Sequence, residues 1–249
     1  MLNYRFALAF VAALAIAGCA SGPKKPEPPK PAPVMYKEAM APLNDGNWKL
    51  AITNLQNLEA TYPFGDYAIQ AELCLIFAQY MSGDSDSAVA EADRFIREHP
   101  RSKYVPYAMY MQGVAQFPEG LSPLWAPFPT TPAGFDSTAV ELSFKAFHDL
   151  VKRFPNSQYA PDARQRMIFL RNRLARYEYH VASYYVRRGA WLAAVRRAEY
   201  LVEHYPETPT VGKALEVIVK GYRELGLNKL ADDAQKVLEA NAARYGAAG

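Results

Sequence analysis

Three times along this chain a glycine is followed five residues later by alanine, and seventeen residues later by a proline that an aromatic or histidine precedes. Gly46, Ala51 and Tyr62-Pro63 make the first set. Gly83, Ala88 and His99-Pro100 make the second, and Gly189, Ala194 and Tyr205-Pro206 the third. Gly226 and Ala231 begin a further copy that runs toward the C-terminus, with Ala243 where the proline would stand, as a capping unit does. The spacing suits two antiparallel helices joined by a short turn. Glycine accepts the left-handed turn that ends the first helix, the alanine lets the second helix approach the first closely, and proline stops the second helix. One such pair cannot bury its own apolar face, so neighbours must stack.

The expected fold class is therefore all-α, a tetratricopeptide-repeat solenoid of about five helix-pair units, built on a period of about 34 residues. Pro63 to Pro100 is 37 residues, Pro100 to Pro155 is 55, and Pro155 to Pro206 is 51. The first excess falls in Phe117 to Phe135, where Pro118, Pro123, Pro127, Pro129 and Pro132 forbid regular helix. That predicts a loop between the two helices of a third unit. In the second excess no proline occurs from Asp162 to Glu203, and Met167, Leu170, Leu174, Tyr177, Val181 and Tyr184 recur at helical steps. One long helix is expected there. An irregular helical bundle without stacking is the alternative that periodicity alone leaves open.

The N-terminus reads as a secretory signal, with Arg5 ahead of an apolar run from Phe6 to Ile16 too short to span a bilayer comfortably. Ile16-Ala17-Gly18-Cys19 resembles the bacterial lipobox. That resemblance implies that Cys19 is acylated and becomes the mature N-terminus, and Ala20 after it favours the outer membrane. Ala20 to Pro33 holds prolines and three lysines but no large apolar residue, the composition of a solvated tether. The expected organisation is a signal peptide over 1–18, a lipidated cysteine with a Pro/Lys-rich tether over 19–33, and a repeat domain over 34–246. Cys74, in an apolar helical run, is then left without a disulfide partner and reads as core.

No catalytic constellation stands out. His99, His148, His180 and His204 are far apart, and none has a carboxylate or second histidine at metal-ligand spacing. His99 holds the repeat position of Tyr62, Phe154 and Tyr205 and reads as a helix-end packing residue. Phosphate-cradling loops and nucleophile elbows are missing from the sequence. Asp84 and Asp86 suit the start of a helix. The expectation is a protein with no catalytic residues, no cofactor and no metal.

Charge is distributed unevenly behind a formal net of +3. Tyr36 to Pro100 carries ten acidic and four basic residues, whereas Ala160 to Tyr200 carries nine arginines, no lysine and three acidic residues. Arginine suits planar, bidentate recognition of carboxylates, so the two halves should meet different partners. A solvated helix face explains Arg164, Arg166, Arg171, Arg173 and Arg176 equally well. An exported lipoprotein gives the cluster little access to nucleic acid. Tyrosine and phenylalanine are abundant, at 17 and 12 residues, and pockets rich in them suit extended or amphipathic peptides.

Several strings together resemble one family: Gly46-Asn47-Trp48, Tyr62-Pro63-Phe64-Gly65, Arg94-Phe95-Ile96-Arg97, Tyr107-Ala108-Met109-Tyr110-Met111, Arg153-Phe154-Pro155-Asn156-Ser157, Tyr177-Glu178-Tyr179 and Arg188-Gly189-Ala190-Trp191. They are similar to the BamD (ComL) family, tetratricopeptide lipoproteins of the outer-membrane β-barrel assembly machinery. The resemblance implies a scaffold, not an enzyme, lipid-anchored on the periplasmic face of the outer membrane. Its implied partners are the periplasmic domains of the barrel subunit BamA, accessory Bam lipoproteins and unfolded outer-membrane protein precursors. By its place in Trp191-Leu192-Ala193-Ala194-Val195-Arg196-Arg197, Arg197 matches the family arginine that pairs with an acidic residue of BamA, and Arg188 is a second candidate. Tyr62 and Phe64 are the implied precursor contacts. Where family members carry a charged third-unit loop, this chain has Ser122-Pro123-Leu124-Trp125-Ala126-Pro127-Phe128-Pro129, so that loop's role does not carry over. Trp125 and Phe128 offer an apolar surface instead.

Composition alone also fits a periplasmic tetratricopeptide lipoprotein that coordinates peptidoglycan synthesis or envelope division. An enzyme with a helical accessory domain is the third class, although almost no length is left for a catalytic domain.

Overall fold

The structure, a computed structural model, describes residues 28–117 and 137–242. The signal, Cys19, most of the tether, Trp125, Phe128 and Ala243 lie outside the described residues. Those described form ten helices: α1 (Ala32–Asn44), α2 (Trp48–Thr61), α3 (Asp66–Met81), α4 (Ser85–Glu98), α5 (Val105–Ala115), α6 (Ser137–Arg153), α7 (Ala160–Arg187), α8 (Trp191–His204), α9 (Val211–Glu224) and α10 (Asn228–Ala240). None of them is long and apolar enough to cross a membrane. Each helix packs on the next in sequence, and α1 on α3, α3 on α5 and α7 on α9 pack as first helices of neighbouring units. The result is five stacked pairs, the all-α repeat solenoid expected from the spacing.

The glycine turn has the same construction at four places. Gly46, Gly83, Gly189 and Gly226 all have φ between 68° and 83°, the left-handed region that a Cβ disfavours. The next residue then donates its N–H five residues back: Asn47 to Pro42, Asp84 to Gln79, Ala190 to Tyr185 and Leu227 to Tyr222, at 2.8 to 3.0 Å. These bonds satisfy carbonyls that a helix end would leave open. In the first two units the following helix is also capped by a side chain, Asn47 accepting from Leu50 N–H and Asp84 from Ser87 N–H. Ala51, Ala88, Ala194 and Ala231 are fully buried, as the close approach of paired helices requires.

At the other end of the pair, Tyr62, His99, Phe154 and Tyr205 donate the last helical hydrogen bond, 2.8 to 2.9 Å to the carbonyl four residues back. Proline follows each and has no N–H to continue the ladder. Helix α1 begins at Ala32, slightly before the tether boundary drawn from composition, because Pro33 stands in the first turn, where no amide is needed. The long helix is α7, with 28 residues. Its buried stripe runs through Ala163, Leu170, Leu174, Ala175, Glu178 and Ala182, displaced from the apolar list of the sequence. Tyr184, from that list, is 46% exposed.

The core is a string of clusters rather than one centre. Leu55, Leu58, Ala71 and Leu75 fill the first two units. Phe95, Val105, Phe147, Leu150 and Leu170 fill the middle, and Ala198, Leu201, Val211 and Leu215 the last two. In the third unit Ser143 donates to the Gly113 carbonyl at 2.8 Å, fastening α6 to α5, and the loop expected between these two helices lies outside the described residues. A Cβ on Gly113 would lie 2.6 Å from the Phe147 ring. Gly113→Ala is therefore expected to cost about 1 to 3 kcal/mol by overpacking, read as a lowered thermal midpoint with helical content kept.

Candidate functional site

A cavity of about 330 Å³ opens where the first helices of the second, third and fourth units meet. Leu73, Cys74 and Phe77 reach it from α3, Tyr107 from α5, and Tyr104 and Tyr159 from the residues just before α5 and α7. Trp48 supports Phe77 edge-on at 5.9 Å, and Tyr110 stacks on Tyr159 at 5.1 Å. Tyr110 in turn donates to Asp162 at 2.7 Å, and Asp162 also accepts from Arg166 at 2.6 Å. The wall is thus held by an aromatic ladder with a charged clip behind it. Burial pushes the Tyr107 phenol far above its usual range and raises the Cys74 thiol, which keeps the cavity neutral and the thiol unreactive. Half-buried rings around a neutral cleft are suited to apolar or aromatic side chains of a peptide.

The two aromatics singled out from sequence lie outside this cavity and are separated in role. Tyr62 is half-buried against the first cluster, and its hydroxyl donates to the Lys30 carbonyl at 2.9 Å, fixing the segment that leads into α1. Lys30 also pairs with Glu38 at 2.7 Å. Phe64 is 89% exposed on the turn to α3. Two of the cavity residues did carry a sequence signal: Tyr104 and Tyr159 each stand four residues after a repeat proline, as Tyr67 does outside the cavity. Tyr67 packs on Tyr36 at 5.5 Å, so this register places tyrosines along the row of first helices.

The arginine-rich stretch divides into internal and outward groups. Arg164 donates to the Pro155 carbonyl at 3.0 Å, Arg171 pairs with Glu207 at 2.5 Å, and Arg166 is clipped to Asp162. Arg188 donates to the Tyr184 hydroxyl at 3.2 Å, with its guanidinium 5.3 Å from that ring's centre. Arg197 pairs across helices with Glu178 at 3.0 Å. Arg176, Arg187 and Arg196 are exposed and make no ion pair among the described residues. Five of the nine arginines are therefore engaged within the chain, and Arg176, Arg187 and Arg196 face solvent on α7 and α8.

The acidic half has its own centre. Arg94 pairs with Glu59 of α2 at 2.7 Å, with Glu91, and with Glu98 at 3.4 Å. His99 packs on Phe95 at 4.9 Å and also hydrogen-bonds buried Glu72 at 2.9 Å, a carboxylate 27 residues away that local spacing could not reveal. Sequence spacing showed no such pair because the carboxylate comes from another helix, and His148 Nδ1 in turn lies 3.4 Å from Asp149 Oδ1 next to it in the chain. Ligand atoms of Glu72, Glu98 and His99 lie within 4.8 Å of one another, and the positive charge placed among these acids is that of Arg94.

With this geometry in view, comparison with known proteins is direct. A family model described as outer membrane lipoprotein, YfiO, matches residues 28–238. The chain belongs to that family. Its relatives include the outer membrane protein assembly factor BamD of Vibrio cholerae, 34% identical over 240 residues, covering 96% of this chain and 99% of that one. BamD of Xylella fastidiosa is 37% identical over 228 residues, 91% of this chain and 78% of its own, and that of Haemophilus influenzae 34% identical over 235 residues, 94% and 89%. The matched span takes in the cavity, the Arg94 centre and both arginine groups.

Removing Arg94 leaves Glu59, Glu72, Glu91 and Glu98 without their shared cation. Arg94→Ala is expected to cost about 2 kcal/mol at neutral pH, less than a fully buried pair because part of the side chain is solvated. Burial already raises the Glu72 and Glu91 carboxyls. Their charged forms are penalised above the raised values, and the penalty vanishes as protonation proceeds. The deficit of the variant against the parent should therefore shrink as pH falls from 7 toward about 4, measured by urea unfolding across that range.

Proposed function

We propose that this protein is an outer-membrane protein assembly factor that acts as a docking scaffold, tethered to the periplasmic face through a lipid on Cys19. The observation that carries the reading is the separation of two chemically different surfaces on one solenoid. An aromatic cavity lies among units two to four, and solvent-facing arginines lie on α7 and α8. The family membership supports the assembly role, and the relatives named as assembly factors align over most of this chain. In this reading the α7–α8 face, with Arg197 and Arg188, receives acidic groups of the BamA periplasmic domains. The cavity receives aromatic side chains of unfolded barrel precursors. Phe64 extends that apolar surface, while Tyr62 serves it by holding the lead-in segment. Accessory lipoproteins occupy other faces, and turnover chemistry is not part of the role.

The deciding experiment is a gentle detergent pull-down of the tagged, lipidated chain with mass spectrometry of its partners. Near-equal recovery of a large β-barrel protein with periplasmic domains is expected. Recovery of cell-wall synthases or division proteins in its place would keep the fold and overturn the function. Two variants probe the parts separately. Cys19→Ala is expected to move the protein from the membrane to the soluble fraction. Tyr107→Leu, which keeps apolar volume but removes a ring, should weaken binding of a precursor peptide ending in an aromatic residue by roughly 1 kcal/mol, with BamA binding unchanged.

A further inference from the structure

Among the described residues two carboxylates are buried, Glu72 and Glu178. Glu72 has His99 against it and the field of Arg94. Glu178 lies in the second half of α7 with a single ion-pair partner among the described residues, Arg197 of α8, whose Nη1 is 3.0 Å from Glu178 Oε2 as a charge contact with no N–H aligned on that oxygen. Burial pushes the Glu178 carboxyl above its usual range, and Glu141 adds repulsion, while Arg197 and His204 oppose the shift. The two side chains differ sharply in exposure, 10% for Glu178 and 41% for Arg197. Arg197 is thus partly in water while it faces an acid held in the helix pair.

We infer that Glu178 is a positioning residue, which holds Arg197 in one outward pose so that its remaining N–H groups accept a carboxylate of a partner protein. The inference rests on the reading of the α7–α8 face as a docking surface. A buried ion pair is a poor way to gain stability, since apolar residues of similar volume do as well, so its retention calls for another use. Orientation is such a use. Arginine gives up much rotamer freedom on binding, and a side chain already immobilised gives up less. Its planar fork carries five donors, so the contact with Glu178 leaves a pair free for bidentate recognition of a second carboxylate. The arrangement is an acid, an arginine and a second acid in line, with the inner acid supplied by this chain.

The test is a double-mutant cycle with the full chain in detergent, using the soluble BamA periplasmic domains of the same organism as probe. Four proteins are compared: the parent, Glu178→Gln, Arg197→Ala and the double variant. Glu178→Gln is expected to weaken binding about fivefold, the scale of ordering one long side chain, and to have no effect once Arg197 is alanine. An equal loss in both backgrounds would mean a structural pair and overturn the inference. Unchanged or tighter binding by Glu178→Gln would do the same, since Glu178 would then be idle or a competitor. If Arg197→Ala itself binds like the parent, the docking face is elsewhere and the reading beneath fails as well. Equal helical content across the four proteins, checked by circular dichroism, separates these outcomes from unfolding.

Discussion

Everything in this molecule depends on the hairpin closed by a left-handed glycine and the hydrogen bond that reaches five residues back across it. That bond sets the angle at which the second helix of a pair returns, and the buried alanine one turn later sets how close it comes. Both devices recur in four of the five pairs, and residues from α3, from α5 and from the segments leading into α5 and α7 meet at a single cavity. The aromatic site is thus a product of turn geometry as much as of the aromatic residues that line it.

The turn devices were legible in the sequence because they are local. Gly46, Ala51 and Pro63 need only their own neighbours to act, so their spacing shows the hairpin directly, and the length of α7 follows from the lack of proline. What the sequence hid was lateral. His99 meets Glu72 and Arg197 meets Glu178 only after helices have been laid side by side, at separations that no local pattern encodes. Tyr62 shows the same limit from the other direction. Its motif marked it as notable, but the structure spends its hydroxyl on Lys30, 32 residues away. The cavity tyrosines were partly visible, through their fixed distance from the repeat prolines, though that register says where a ring stands and not what it faces.

The charge asymmetry becomes two different objects in the fold. In the acidic half, carboxylates from α2, α3 and α4 converge on Arg94 and His99, joining the first two units. In the basic half, several arginines are spent on carbonyls, rings and acids within the fourth and fifth units, and others are left in water. Net charge per segment overstated the free charge of the basic half, because arginine binds its own backbone and neighbouring acids as readily as it binds another protein.

A core divided among three successive clusters also has a dynamic consequence. Each cluster shares residues with few others, so opening of one end need not break the rest, and all-or-none unfolding is replaced by fraying from the termini. α10 contributes one fully buried side chain, Ala231, whereas α5 contributes seven buried residues. Amide protection against solvent hydrogen should then rise from the last helix toward the middle of the solenoid. The cavity, with residues from α3 and α5 in its wall, is built into the stretch that opens last.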